Sequence, residues 1–266
     1  DWRNVTAIAA GDSHTAALRA DGTVIATGAE RRDHTGRSRS ATAHLPRANP
    51  CAVEGWTGIT AISCAGDVTV GITRDGRVKA VGNALYGQCN TDAWRGVVSA
   101  VTSGTHTVAL FGDGHVEAVG RNESGECDTE DWYHVIQIAV MPELTLGLRS
   151  DGRVLAAGRH NEVLHTLEAV RAMVCFGTRR QIFVMSDGTL HIHIRGSEYL
   201  PEPVEGVRLF TPTPKRSILD RYTVGAPALH SAKRVQGVFA VGMAHTLSLG
   251  TGGAITATGA GDNGQL

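Results

Sequence analysis

The hydrophobic and polar positions of this chain follow one pattern that recurs along most of its length. In the segment 94–127, a small apolar run at 97–103 is broken by Gly104-Thr105, and two alternating runs then flank Gly112-Asp113-Gly114. Asp-Gly between alternating runs favours a tight hairpin, because both residues tolerate a positive φ. The segment therefore predicts three short strands, a unit too small to bury both of its faces without neighbours.

Asp-Gly turns recur at a nearly constant spacing, which predicts a repeat architecture. The successive spacings are 54, 38, 38, 36 and 65 residues, so the period is close to 38. The longest gap leaves room for a unit without an Asp-Gly turn around residues 207–224. Seven units fit into 266 residues, and radial repeats of this length are typical of β-propellers. We therefore predict an all-β fold, a single seven-bladed β-propeller over residues 1–266 with a degenerate sixth blade. The turns are Asp21-Gly22, Asp75-Gly76, Asp113-Gly114, Asp151-Gly152 and Asp187-Gly188, with Gly252-Gly253 in the same role.

Three motifs give this repeat a family resemblance. The patterns AIAAGDSHTAALRADGTVIATG at 7–28 and AISCAGDVTVGITRDGRVKAVGN at 61–83 resemble the repeat of the regulator of chromosome condensation family. The exits NALYGQC at 83–89 and NESGEC at 122–127 resemble the Asn-x-x-Gly-Gln end of that repeat. The resemblance implies a propeller, but propellers of this kind serve as nucleotide exchange factors, as a secreted β-lactamase inhibitor and as scaffolds, so it implies no single activity. Tryptophans at the unit starts resemble the bacterial branch of the family: Trp2, Trp56, Trp94 and Trp132.

The largest departure from the period is a polar and basic insertion at residues 29–55, between the first and second repeats. Such a loop on a rigid propeller could bind an anionic partner or cover a pocket, and the alternative is a solvated loop. Its arginines include Arg31, Arg32, Arg37 and Arg39.

The two ends of the chain complete one repeat junction between them. Residues 261–266 followed by Asp1-Trp2 reproduce the internal junction with three positions in place of six. We therefore expect the termini to meet and to close the ring, which hides the sheet edges.

Composition argues against several functional classes. The chain has 25 basic and 26 acidic residues, so it lacks the excess of basic charge that nucleic-acid binding usually needs. No apolar run approaches the roughly 18 residues of a membrane span, and no secretory signal opens the chain. The five cysteines form no paired zinc-site spacing, which favours reduced thiols in a cytoplasmic protein. We expect a monomer without metal or cofactor, and a secreted protein only if a signal peptide precedes Asp1.

Three histidines occupy equivalent positions after the first strand of their units, namely His14, His106 and His245. A ring of histidines would suggest a metal site. Other units place Val68 or Leu144 there, so we favour hydrogen bonds that support the structure.

The turns that contain or precede these histidines are expected to ring one mouth of the central channel. They carry a mixed collar of acidic and basic side chains, which could bind a polar ligand or partner, or could be ordinary turn chemistry. The candidate binding residues are Asp12, Asp67 and Thr105, together with the arginines of the insertion. The candidate catalytic residues are Glu143 as a general base, with Arg179 and Arg180 to stabilise developing negative charge.

The function favoured by the sequence is a binding propeller that holds a protein partner or a small polar ligand at one channel mouth. No Gly-x-Ser-x-Gly, P-loop, dinucleotide or HExxH motif occurs, which removes the commonest motif-bearing enzymes. Two alternatives stay open. One is an enzyme with a channel pocket, for example a biosynthetic cyclase, lyase or hydrolase, and the other is a secreted inhibitor-type propeller.

Overall fold

A computed structural model describes residues 2–28, 49–159, 164–176, 180–187, 189–194, 202–204, 238–241, 245–249 and 255–259. In these residues the chain forms nineteen β-strands and one short 3-10 helix, Leu164–Thr166. The predicted all-β fold is therefore confirmed.

The strands of the described residues form six antiparallel sheets, each made of strands consecutive in the chain. The first three sheets are Val5–Ala10, His14–Arg19 and Val24–Gly28 (β1 to β3); Ile59–Ala65, Val68–Thr73 and Val78–Gly82 (β4 to β6); and Val97–Thr102, His106–Phe111 and Val116–Gly120 (β7 to β9). The next three are Val135–Met141, Leu144–Arg149 and Val154–Gly158 (β10 to β12); Val170–Phe176, Arg180–Met185, Leu190–Ile194 and Glu202–Val204 (β13 to β16); and Val238–Val241, His245–Leu249 and Ile255–Gly259 (β17 to β19).

The first strands of successive sheets stand side by side. Strand β1 contacts β4, β4 contacts β7, β7 contacts β10, and β10 contacts β13, while β17 and β18 contact β1. The last described sheet thus lies next to the first. Sheets arranged in this way, with their first strands innermost, are the blades of a β-propeller, so the predicted propeller is confirmed.

Three expectations about the organisation of the ring stay predictions. The proposed degenerate blade around 207–224 lies outside the described residues, and with it the count of seven. The chain ends, residue 1 and residues 260–266, lie outside them too, as does most of the insertion, residues 29–48.

Each predicted Asp-Gly turn that is fully described joins the second strand of its blade to the third. Gly76, between β5 and β6, has a φ of 74°, as a tight hairpin requires. The aspartate helps to hold the turn: Asp21 Oδ1 accepts the Thr23 hydroxyl at 2.7 Å and the Thr23 backbone N–H at 2.9 Å, and these two bonds lower the pKa of Asp21. The sequence pattern thus identified these hairpins correctly.

The same turn also joins each blade to the next one. Gly76 O accepts the backbone N–H of Val97, the first residue of β7, at 3.0 Å. A Cβ added to Gly76 would lie 2.9 Å from Gly96 Cα, so the two backbones touch and leave no room for a side chain. Equivalent bonds run from Ile59 N to Gly22 O, from Val135 N to Gly114 O and from Val170 N to Gly152 O.

The residue immediately before each of these first strands has a left-handed backbone conformation. Its carbonyl oxygen accepts a hydrogen bond from the hairpin of its own blade, for example Gly96 O from Gly112 N at 3.1 Å. Glycine occupies this position in two of these blades. In the other three the residue has a Cβ, which is strained in this conformation. The five φ values are 56° at Asn4, 67° at Gly58, 75° at Gly96, 60° at His134 and 58° at Ala169.

The tryptophan that starts a unit fills the core beside that unit's second strand. Trp56 and Trp132 are buried, and a Cβ on Gly71 or Gly147 would lie 2.7 Å from their rings. Glycine in a strand usually weakens it, but here it makes room for an indole. This large apolar ring explains why the repeat begins with tryptophan.

Replacing Gly76 by alanine should destabilise the propeller, because it combines a left-handed backbone with a blade-to-blade clash. Gly76→Ala is expected to lower the free energy of unfolding by about 3 kcal/mol. Gly55→Ala is the matched control, since Gly55 also has a positive φ, 77°, but no atom lies within 4 Å of an added Cβ. It should cost only about 1 kcal/mol, and equal losses in urea unfolding would contradict the role of the close contact.

Candidate interaction site at the channel mouth

The two ends of the described blades carry different kinds of connection. We call the end formed by the turns between first and second strands, residues 11–13, 66–67, 103–105 and 142–143, the turn face. The opposite end holds the Asp-Gly hairpins and the starts of the first strands, and we call it the hairpin face. Four of the candidate site residues from the sequence lie on the turn face, namely Asp12, Asp67, Thr105 and Glu143.

Turns of neighbouring blades contact each other directly on the turn face. Asp12 N donates to Gly66 O at 2.9 Å, and a Cβ on Gly66 would lie 3.1 Å from Gly104 Cα. Ser13 Oγ donates to Asp67 Oδ1 at 2.9 Å. The carboxylate of Asp67 therefore links the first blade to the second, in addition to any role in binding.

Thr105 and Glu143 lie near an arginine that the sequence analysis did not select. Arg121, just after β9, donates its backbone N–H to Thr105 O at 3.0 Å. Its side chain donates from Nε to Glu123 Oε2 at 3.0 Å and from Nη1 to Glu143 Oε1 at 3.3 Å. Glu143 itself has a left-handed backbone, with a φ of 62°. Arg121, from the preceding blade, is thus a basic partner of Glu143.

Two exposed apolar residues lie at the same place. Arg121 Cζ is 6.0 Å from the centroid of the Tyr86 ring, which is at the limit of a cation–π contact. Tyr86 and its neighbour Leu85 are 43% and 44% exposed. They belong to the exit NALYGQC, so this exit loop and the next one meet at Arg121.

Glu126 adds a buried carboxyl group to this place. It is 0% exposed, and its Oε2 accepts the backbone N–H of Ser124 at 2.8 Å. Its Oε1 has no hydrogen-bond partner among the described residues. The equivalent residue one blade earlier is Gln88, which is also buried and donates from Nε2 to Gly104 O at 3.1 Å. Glutamate cannot make this bond when ionised, because a carboxylate only accepts hydrogen bonds.

We define the rim cluster as Leu85, Tyr86, Arg121, Glu123, Glu126 and Glu143. Glu123, followed by Glu143 and Glu126, raises the pKa of Arg121, so three carboxyl groups act on one guanidinium. The sequence signal that could have revealed this cluster is the exit NESGEC, which has glutamate where NALYGQC has glutamine.

The other candidate residues are placed less completely. Arg180 is the first residue of β14, where it pairs with Phe176 and Ile194. Arg179 lies outside the described residues, as do Arg31, Arg32, Arg37 and Arg39. The catalytic roles expected for Glu143, Arg179 and Arg180 stay predictions.

Two of the three equivalent histidines form hydrogen bonds between blades. His14 Nε2 lies 2.8 Å from Thr69 Oγ1, and His106 Nε2 lies 2.9 Å from Thr145 Oγ1. Each threonine donates its own hydroxyl hydrogen to a backbone carbonyl, that of Pro50 or Glu126. The histidine must therefore be the donor, from a protonated Nε2.

The structural interpretation is thus confirmed for these two histidines. In the part of the chain that the structure describes, no group of three or more His, Cys, Asp or Glu side chains is arranged to hold a metal ion.

A second group of exposed apolar side chains lies on the hairpin face. Val98, Tyr133 and Ile136 are 60%, 58% and 50% exposed. Val98 and Ile136 occupy a β-bulge near the start of their strands, which turns the extra residue away from the core. In the first two blades the bulge holds Thr6 or Thr60, whose hydroxyl donates to a neighbouring carbonyl. We call Val98, Tyr133 and Ile136 the hairpin-face patch.

Comparison with known proteins supports the family resemblance. The sequence profile of the regulator of chromosome condensation (RCC1) repeat matches residues 5–32, which span the first blade. Residues 5–32 are thus similar to one RCC1 repeat. A comparison with curated protein sequences gave no match.

Three solved structures illustrate what this chain is similar to. Prp20p from Saccharomyces cerevisiae has a TM-score of 0.55 and 17% identity, covering 76% of this chain and 62% of its own. Human WBSCR16 has a TM-score of 0.56 and 16% identity, over 96% of this chain and 76% of its own. The CRINKLY WD40 ectodomain of the Arabidopsis thaliana receptor kinase ACR4 has a TM-score of 0.61 and 14% identity, over 98% and 97%. At these identities the likeness is one of fold.

This chain thus spans less than two thirds of the Prp20p chain. Within the described residues, no helix has the length and apolar character needed to cross a bilayer.

Acid should weaken this propeller partly through His106. Burial lowers the pKa of His106 to about 4, against about 6.5 in an unfolded chain. The folded state therefore binds fewer protons, so the stabilising contribution is complete above about pH 6.5 and is lost as the pH falls towards 4.

Urea unfolding at pH 7 and pH 5 tests this titration. The wild-type protein should lose about 2 kcal/mol more stability between these pH values than His106→Leu, which removes the titrating group. Leucine is the residue at the equivalent position 144, so the substitution suits the site. Equal losses in the two proteins would show that His106 is not held neutral by burial.

Exchanging the two equivalent exit residues should change stability in opposite directions. Glu126→Gln supplies an N–H group like that of Gln88 and is expected to raise the free energy of unfolding by about 1 kcal/mol. Gln88→Glu removes a buried donor and should lower it by about 2 kcal/mol. Thermal and urea unfolding measure both, and a loss of stability in Glu126→Gln would contradict this account of Oε1.

Proposed function

We propose that this RCC1-repeat propeller is a protein-interaction module whose partner docks on the turn face, over the rim cluster. The observation that carries the proposal is the position of Arg121, held between Glu123 and Glu143 and beside the exposed ring of Tyr86.

The composition of the rim cluster is that of a protein-binding surface. Tyrosine is enriched where interfaces contribute most of their binding energy, especially beside apolar neighbours such as Leu85. Ion pairs with Arg121 hold the carboxylates of Glu123 and Glu143 in place before any partner arrives. A side chain that is already ordered loses less conformational entropy on binding, which favours affinity.

The solved relatives in fold give independent support. The binding of Prp20p to Gsp1p and histones has been described, and yeast RCC1 (Prp20) has been crystallised with Kap60 bound. These partners belong to those proteins. They support the proposal because a protein of similar fold binds other proteins.

The proposed docking surface extends beyond the rim cluster to other residues of the turn face. Thr105 contacts Arg121 directly, and Asp12 and Asp67 lie in the turns of the first two blades. Arg31, Arg32, Arg37 and Arg39 are proposed as further contacts from the insertion. A small polar ligand, the monomeric state, the cytoplasmic location, the enzyme and the secreted inhibitor stay predictions.

Site-specific crosslinking in the source cells tests which face binds a partner. A photoreactive phenylalanine analogue replaces Tyr86 on the turn face, or Tyr133 on the hairpin face as the matched control. Both tyrosines are about half exposed, so the two probes differ mainly in position.

We expect one protein to crosslink through position 86 and not through position 133, and native mass spectrometry to show the same protein in a stoichiometric complex. Crosslinks from position 133 alone would place the partner on the hairpin-face patch and overturn the turn-face assignment. No crosslink from either position, with a free protein in the mass spectrum, would overturn the interaction module.

A further inference from the structure

We infer that the rim cluster recognises a basic segment of the partner protein, with an arginine or lysine side chain seated against Tyr86 and the carboxylates. This inference rests on the proposed function and adds the chemistry of the partner.

The rim cluster has more acidic than basic groups. The rim cluster has three carboxyl groups, those of Glu123, Glu126 and Glu143, and one guanidinium, that of Arg121. The Glu123 side chain is 67% exposed and the Glu143 side chain 22%, so both can be reached from solvent. Within this cluster of described residues one arginine faces three carboxyl groups, so a cation that approaches the cluster meets more negative than positive charge there.

Glu126 contributes a buried carboxyl group to the rim cluster. Its Oε1 has no hydrogen-bond partner among the described residues, although the glutamine at the equivalent position 88 has a partner at both Oε1 and Nε2. A carboxyl kept at a site that suits an amide costs stability, and such exceptions in a repeat are expected at functional positions. Glu126 acts on the guanidinium of Arg121, so its charge contributes to the rim cluster.

The rim cluster also has an apolar part, Leu85 and the ring of Tyr86. Tyr86 is 43% exposed and offers surface for a second cation beside the contact with Arg121. Leu85, next to it, can cover the aliphatic stem of a lysine or arginine. Aromatic and acidic groups together suit a long basic side chain better than a small cation.

An acidic partner fits this surface less well. Arg121 already uses Nε and Nη2 for Glu123 and Nη1 for Glu143. An incoming carboxylate would have to displace these glutamates while facing their negative charge. The arrangement therefore favours a basic segment over an acidic one.

Binding of short charged peptides to the purified protein tests this chemistry. Fluorescence anisotropy measures the affinity for labelled octa-arginine and octa-glutamate at low and at physiological ionic strength. We expect octa-arginine to bind, with an affinity that falls as salt rises, and octa-glutamate to bind at least about 10-fold more weakly.

Charge variants locate the site. Glu123→Gln with Glu143→Gln should weaken octa-arginine binding by about 10-fold. The matched control is Asp151→Asn with Glu168→Gln, which removes two carboxylates that are also paired with arginines but lie at the hairpin face. It should leave the affinity within about 2-fold.

One further variant separates binding from folding. Arg121→Gln removes the positive charge from the cluster and should strengthen octa-arginine binding by about 3-fold, whereas a folding defect would weaken it.

Three results would overturn the inference: preferred binding of octa-glutamate, equal effects of the two double variants, or weaker binding of octa-arginine by Arg121→Gln. A partner that crosslinks through position 86 while octa-arginine fails to bind would leave the proposed function intact and refute this partner chemistry. Octa-arginine binding at the rim without any crosslinked protein would refute the protein-interaction role instead.

Discussion

The rest of this propeller depends on a close backbone contact between neighbouring blades. It joins the Asp-Gly hairpin of one blade to the start of the first strand of the next. A three-stranded sheet cannot bury both faces alone, so each blade depends on its neighbours. The contact needs a glycine in the hairpin, as at Gly76, and a left-handed residue before the strand, as at Gly96. Where His134 or Ala169 stands in place of the second glycine, the protein tolerates backbone strain to keep the same contact.

Side chains also hold neighbouring blades together, and these contacts are not the same between every pair of blades. His14 and His106 reach a threonine of the next blade. Between the fourth and fifth blades, Gln137 instead bonds both backbone groups of Met173, at 2.6 Å and 3.0 Å. Each of these contacts satisfies buried polar groups between two blades. The backbone contact is therefore shared by successive blades, while the side-chain contacts differ from one pair of blades to the next. These side chains are less constrained by the repeat.

That freedom is most visible at the third and fourth blades, where both faces depart from the repeat. On the turn face, Glu126 replaces the glutamine that closes the preceding exit loop, and Arg121 joins two carboxylates. On the hairpin face, apolar Val98 and Ile136 replace bonded threonines at the bulge. Departures that expose apolar groups or leave a carboxyl unpaired do not stabilise the ring. Those on the turn face form part of the surface that we propose for a partner.

The sequence by itself determined the all-β fold, the hairpins and the repeat, because glycine, Asp-Gly turns and alternating apolar residues act locally and recur at a fixed spacing. It also indicated that Glu143 and Thr105 lie on one set of turns. Only the tertiary structure showed that Arg121 meets Glu143. These residues come from an exit loop and a turn of different blades, and neither has a local pattern that marks the pairing. Likewise, the role of His106 depends on Thr145, 39 residues away, because the ring brings the two residues together.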